Sequence, residues 1–447
     1  MMVFALGIAT SPSASLAQDI IYVDTNANGN DNGFTWGDAY PNLQDALADP
    51  NLEANDEIWV AEGIYYPDEG SGQTNDDRSA TFQLVDDVAI YGGFDPDSGD
   101  DEFAERDWVA NPTILSGDID HETNPDTNVN GVVTDADDIA GSNAYHVVSN
   151  SGIDNTAILN GFTITAGHAN GGSGSNTGGG MYNSGSSSPV LTNLNFIGNS
   201  AVSNGGGISN VSNSSPELVN VTFSGNNAGN NGGGMYTANS SPVLTGVTFS
   251  ENSSDFDGGG MYNSESSAEL RNVTFTSNSS GRNGGGMYNS SNSSPVLMNI
   301  AFSGNSADNI GGGMYNSVSS SPVLMNITFS GNSANSAGGG MYNSNNSSPV
   351  LTGVTFSGNN AANGGGMYNF SSNPTLSNVI IWGNQAGAST TSSSASIENS
   401  GSTPSISYSL IANSGGSGGG WTTTIGSDDG NNIDICLLYT SPSPRDS

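Results

Sequence analysis

GGGMYNSVSSSPVLMNITFSGNSANSA, Gly311 to Ala337, is one unit of a repeat whose reading decides the architecture. The same triplet opens at Gly178, Gly205, Gly232, Gly258, Gly284, Gly311, Gly338 and Gly364, so successive starts lie 26 or 27 residues apart. A fixed period in this range marks a solenoid, in which each unit buries its apolar side chains against its neighbours rather than within itself.

Strand side chains alternate between faces, which assigns each position of the unit a direction. The column Met181, Ile208, Met235, Met261, Met287, Met314, Met341 and Met367 holds only apolar residues and must point inward. The next column is mostly Tyr but admits Ser209, so it is expected to point out. Leu191, Leu218, Leu244, Leu270, Leu297, Leu324, Leu351 and Leu376 form a second inward column, preceded by Val, Glu or Thr; Glu217 and Glu269 there can only face water. An aliphatic residue and a Phe follow each Leu at three and five places, as in Val221 and Phe223, with Ile381 in place of Phe after Leu376. Their parity is opposite to that of Leu, so burying all three requires a turn at the intervening Asn or Gly.

The expected fold is therefore all-β, a single-stranded right-handed parallel β-helix with coils of 26–27 residues, each with three short strands and three corners. Coils stacked about 4.8 Å apart would turn each column into a ladder of like side chains. Three residues beyond each Phe stands an Asn, from Asn199 and Asn226 to Asn359, with Asn384 after Ile381. Such residues suit a corner with left-handed dihedrals and can bond one another along the axis. The GGG triplet reads as corner punctuation with positive φ, because no phosphate-binding fingerprint accompanies it.

Composition narrows the function. The formal charge is −38, with 43 acids against five bases: Arg78, Arg106, Arg271, Arg282 and Arg445. Such a chain repels phosphate backbones, so no nucleic acid partner is expected. Most of the acids fall between Asp19 and Asp138, which makes the N-terminal part the charged one.

The chain divides on paper into five parts. Residues 1–17 read as a signal peptide, an apolar run ending in Ser15, Leu16 and Ala17. Residues 18–170 form an N-terminal cap with irregular coils, including a short helix at Asn42 to Ala48 that would cover the open end of the first coil. Residues 171–390 carry the regular GGGMYN/FxxN repeats, and 391–435 are terminal coils expected to be cut short. Residues 436–447, CLLYTSPSPRDS, break with the preceding style and read as adapter-derived sequence, which would make Cys436 foreign. No other apolar stretch approaches the roughly 20 residues of a membrane-spanning helix.

The paired signatures GGGM or GGGI and FxxN, as in Phe223, Ser224, Gly225, Asn226, resemble the repeats of chlamydial polymorphic outer membrane proteins. Still closer is the resemblance to pectin-lyase-like β-helix proteins of environmental bacteria, many of which end in a "choice of anchor" region. The opening YVDTNANGNDNG, with WGDAYPNLQDAL, AEGIYYP and YGGF, looks like the start of that group, and NNIDI at Asn431 to Ile435 like the start of its closing region. The likeness spans Asp19 to Ile435. It implies a secreted or cell-surface protein associated with a bacterial outer membrane, with an adhesin-like role. Gly stands here for the chlamydial Ala in the first motif, and no translocator barrel is visible, so the export route does not carry over.

Specificity on a solenoid must lie at its exposed positions. The candidate binding surface is the outward column Tyr182, Tyr236, Tyr262, Tyr288, Tyr315, Tyr342 and Tyr368, whose aromatic faces with flanking Asn and Ser suit sugars. Stacked Tyr that merely stiffens the sheet is the competing reading. The expected partners are surface glycans or a host or neighbour cell surface, met by a monomeric rod. No catalytic set is expected: His121, His146 and His168 lack Ser, Cys or metal-ligand partners at a telling spacing, and His146 reads as a strand residue. A polysaccharide lyase or hydrolase is the alternative function. A remoter one is ice binding through two outward hydroxyl columns, such as Thr222 and Ser224 with Thr248 and Ser250.

No cofactor is expected apart from calcium, for which two segments are candidates. Asp24, Asn26, Asn28 and Asn30 follow the first half of an EF-hand-like loop, although Thr35 stands where the bidentate Glu belongs. Asp118, Asp120 and Glu122, followed by Asp135, Asp137 and Asp138, form a second acidic group.

Overall fold

The computed structural model describes residues 19–121, 126 and 130–434. The segments expected to be signal peptide and adapter-derived sequence, with Cys436 and Arg445, lie outside them, as does Glu122. The chain is a parallel β-solenoid whose coils contribute to three parallel sheets of 24, 10 and 9 strands. Helices are minimal: Leu43–Leu47, Ser393–Ser396 and three short 3-10 turns are the only ones among the described residues.

Two of the expected strands prove to belong to one sheet. The Leu strand (Val350–Thr352 in one coil) and the Phe strand (Thr355–Ser357) both lie in the large sheet. Between them the chain bends at a left-handed residue, Asn193, Asn220, Asn272, Asn299, Asn326 and Asn378 having φ of 52–58° and Gly246 and Gly353 each 67°. In two coils the pairing runs through this bend, giving the eight-residue strands Val296–Ser303 and Val323–Ser330. The Met–Tyr strands, such as Met287–Ser290, build the ten-stranded sheet. A fourth segment went unseen in the sequence: two-residue strands such as Ser306–Ala307 form the narrow third sheet. Its signal, a lone small residue two places after the FxxN Asn, is too short to read as a strand.

Register holds without slip along the repeats. Met287 pairs with Met314, Leu297 with Leu324 and Phe302 with Phe329. The Met, Leu and Phe columns have no solvent exposure, and the aliphatic column at most 2 %. Adjacent Phe rings stack with centroids 4.7–5.0 Å apart. The glycine triplet is needed for two different reasons. Gly284 has φ of 67°, which only glycine adopts freely. At Gly285 a Cβ would run into the carbonyl oxygens of Ser306 and Gly312, and at Gly286 it would lie 2.6 Å from that of Gly313 and 2.8 Å from Phe302 Cδ1.

Three polar ladders run inside the rod. The FxxN residues do not occupy the left-handed corner; the residue before each does, as Gly225, Glu251, Ser277 and Gly304 show with φ of 55–63°. The Asn side chains point inward instead and bond from coil to coil at 2.8–3.0 Å, from Asn199 to Asn384. A second Asn ladder lies on the inner face of the ten-stranded sheet, two places after Met. The third uses the Ser before each SP or SSP corner: Ser293 N donates to Ser320 Oγ at 3.1 Å, and Ser320 N to Ser347 Oγ at 3.1 Å. Because buried polar groups are costly unless paired, these ladders specify register as firmly as the apolar columns do.

At the N-terminal end Leu43 and Ala46 of the short helix bury against Ile21, Val23 and Ile58 of the first coils. Gln44 holds the helix in place, donating from Nε2 to the carbonyls of Pro67 and Thr81. The expected strand at His146 begins two residues later, at Val148–Ser151. His146 lies just before it, its ring nitrogens 2.9 and 3.1 Å from the carbonyl oxygens of Gly178 and Gly174.

Candidate functional site

The Tyr column takes the predicted side of its sheet, but the structure changes what it can offer. Tyr236 and Tyr262 stack with centroids 5.4 Å apart and planes 12° from parallel, and Tyr342 and Tyr368 with 5.1 Å and 4°. Rings stacked along the axis turn their faces to each other and only their edges to solvent. Tyr315 is 8 % exposed and buried, a departure from its predicted exposure. Two hydroxyls bond along the axis to the next coil, Tyr288 to Ser317 Oγ and Tyr315 to Ser344 Oγ, each at 3.0 Å. Burial raises the pKa of Tyr236, Tyr262, Tyr288 and Tyr342 above the usual phenol value. The break at Ser209 is covered: Thr177 Oγ1 donates to Ser209 Oγ at 2.9 Å, and His146 stacks on Tyr182. Elsewhere the column is less regular, Tyr262–Tyr288 and Tyr288–Tyr315 being tilted and Tyr315–Tyr342 edge to face, and Tyr236, Tyr262, Tyr342 and Tyr368 remain part-exposed.

The first candidate calcium loop closes on its own side chains. Asp24 Oδ1 accepts the Asn26 amide at 2.8 Å, and Asn28 Nδ2 donates to the Asn26 carbonyl. Asn30 donates through both its backbone N–H and Nδ2 to Asp38 Oδ1, which turns it toward Asp38 rather than Asp24. Burial, with Asp97 and Asp95 nearby, raises the Asp24 carboxyl.

In the second candidate, Asp118 Oδ2 accepts the Asp126 amide, and Asp126 accepts from Ala140 N and Asn143 Nδ2. Burial pushes the Asp126 carboxyl up to about 6. Asp135 caps the turn Ala136–Asp138, whose Ala136 amide donates to Gly225 O on the coils. His121 stacks on Tyr66 with centroids 3.8 Å apart, its Nε2 3.8 Å from Glu69 Oε1. Among the described residues no three His, Cys, Asp or Glu side chains converge as a metal site, and Asp118 and Asp120 are not joined by Asp24.

Each of the four arginines among the described residues has an aromatic or acidic neighbour. Arg106 lies among Tyr91, Phe94, Phe103 and Trp108 and donates to Gly92 O and to Asn160. Arg78 lies over Tyr145 and donates to the carbonyls of Asn143 and His168. Arg271 pairs with Glu269, and Arg282 lies over Phe256.

What the fold does present is the outer face of the large sheet. Val296, Val323 and Val350 are paired in register and 36–43 % exposed. Met298 and Met325 pair beside them. Across the bend lie Thr222, Thr248 and Thr274, then Thr328 and Thr355, with Ser303, Ser330 and Ser357 alongside. The exposed Val column escaped the sequence reading, which used Glu217 and Glu269 of the same column only to fix a direction. No helix among the described residues is long and apolar enough to cross a membrane. Scans against protein-family models and curated proteins found no match.

Proposed function

We propose that the protein is an exported, rod-shaped surface protein with an adhesin-like role, binding surface glycans along the outer face of its large sheet. One observation carries the reading: apolar columns (Val296, Val323, Val350) and hydroxyl columns (Thr328, Thr355; Ser303, Ser330, Ser357) run side by side in strict register. Sugars are amphipathic in the same sense, with C–H faces that rest on apolar side chains and hydroxyls that bond Thr and Ser. Repetition supplies the rest, since many weak contacts on one rigid rod add through effective concentration without a deep pocket. The Tyr edges on the neighbouring sheet extend the surface. The resemblance to secreted β-helix proteins supports placement outside the cell.

The test is a glycan array and a cell-binding assay on the purified protein, repeated with Val323→Asp and Thr328→Asp. Retention that both substitutions weaken supports the reading. Release of unsaturated sugars from pectin or alginate without retention would replace it with polysaccharide lyase activity. The same flat hydroxyl columns also suit an ordered water layer, and thermal hysteresis without glycan retention would favour ice binding.

A further inference from the structure

The Asn ladder on the inner face of the ten-stranded sheet is broken once. Below the break Asn150 donates from Nδ2 to Asn183 Oδ1, and Asn183 to Asn210, each at 2.9 Å. Above it the same bond, again at 2.9 Å, repeats from Asn263 onward to Asn399. Both ends are closed by backbone, Leu84 N donating to Asn150 Oδ1 and Asn399 Nδ2 donating to Thr424 O. Between the two stacks the column holds Thr237, paired in register with Asn210 on one side and Asn263 on the other. Asn210 Nδ2, Thr237 Oγ1 and Asn263 Oδ1 are then all buried without a hydrogen-bond partner. None of the three residues has any solvent exposure.

We infer that this position is an internal binding site for a single water molecule. The chemistry matches in kind and number: a donor from below, an acceptor from above and a hydroxyl between them that serves as either, within the 2–4 partners a buried water takes. The reach differs as well: the Thr side chain branches at Cβ and ends one bond earlier than that of Asn, so its hydroxyl does not bridge the interval between coils as an amide does on either side. Orphaned groups in an otherwise fully bonded network are where a bridging water restores the balance. The solenoid therefore carries a one-water joint between two amide stacks.

A high-resolution crystal structure of the full chain tests this directly. An ordered water within hydrogen-bonding distance of Asn210 Nδ2, Thr237 Oγ1 and Asn263 Oδ1 is expected. Side chains that shift to bond one another, or no density between them, would overturn it. Water-proton magnetic relaxation dispersion gives an independent reading, with one long-lived water fewer in Thr237→Asn than in the wild type. The variant should also join the two stacks at the 2.9 Å repeat and unfold at a higher denaturant concentration. An equal count of long-lived waters in the two proteins would refute the site.

Discussion

Asn305 donates from Nδ2 to Oδ1 of Asn332 one coil away at 2.9 Å, and its backbone N–H reaches the same oxygen at 3.0 Å. The same Nδ2 also donates to the Phe275 carbonyl at 2.9 Å, so one side chain closes bonds to the coils on both sides. Asn305→Ala would leave the Asn278 backbone N–H and one Asn278 Nδ2 hydrogen without the oxygen they point at, and would remove the side-chain bond to the Phe275 carbonyl, while Asn332 Oδ1 keeps only the backbone N–H of residue 305. With each buried unsatisfied group costing about 1–3 kcal/mol, a loss of at least about 3 kcal/mol is expected in denaturant melts. Asn299→Ala, at an exposed left-handed position, should cost about 1 kcal/mol. Similar losses for the two would show that the inner ladder is not what ties the coils together.

Glycine supplies a second contrast. Gly285→Ala forces a methyl group against two carbonyl oxygens of adjoining coils, whereas at Gly331 a Cβ meets open space and only the φ of 62° is unfavourable. Backbone cannot step aside in a registered stack, so Gly285→Ala should prevent folding or cost several times the roughly 1 kcal/mol expected at Gly331. Expression and urea unfolding of the two variants make the comparison.

For the aromatic ladders, Phe302→Ala leaves a cavity between two stacked rings and should cost about 3–5 kcal/mol. Tyr315 is buried and bonded to Ser344, so Tyr315→Ala should cost about 2–3 kcal/mol rather than the small amount expected of an exposed side chain. Tyr368→Ala, at the end of its stack, should cost less than either. The order of the three urea midpoints is the measurement.

Acidity gives a signed prediction. An acid whose folded pKa lies near 6, against about 3.9 unfolded, holds its proton more tightly in the folded state. Stability therefore rises as pH falls through the window from about 6 to 4, and the gain is lost again as pH rises. Burial raises Asp68 and Asp118 in the same direction. The wild type should melt higher at pH 5 than at pH 7, and Asp126→Asn should narrow that difference. An unchanged difference would show that Asp126 does not titrate in this window.

The repeat was legible because a solenoid writes its core as columns. The Met, Leu and Phe positions could be placed inside from their spacing and tolerance alone, and each is buried as expected. The bend at Asn193 and its equivalents followed from a parity conflict between Leu and Phe, and their positive φ is its physical form. Other features left no such trace. The two-residue strands of the third sheet are too short for any periodicity, and the Ser ladder looks like ordinary corner composition. The inward turn of the FxxN Asn could not be told from a left-handed corner, since Asn serves both purposes.

The sequence by itself determined the solenoid, its period, the identity of the apolar columns and the strongly negative net charge, because each depends on residue type along the chain. Only the tertiary structure decided which way the Tyr rings face, which Asn are buried, how the arginines are placed and where Thr237 interrupts a hydrogen-bonded column. Apart from the arginine contacts, which join residues at irregular separations, those facts belong to pairs of residues 26 or 27 positions apart, and the direction of a side chain at such a contact is set by what the adjoining coil places against it.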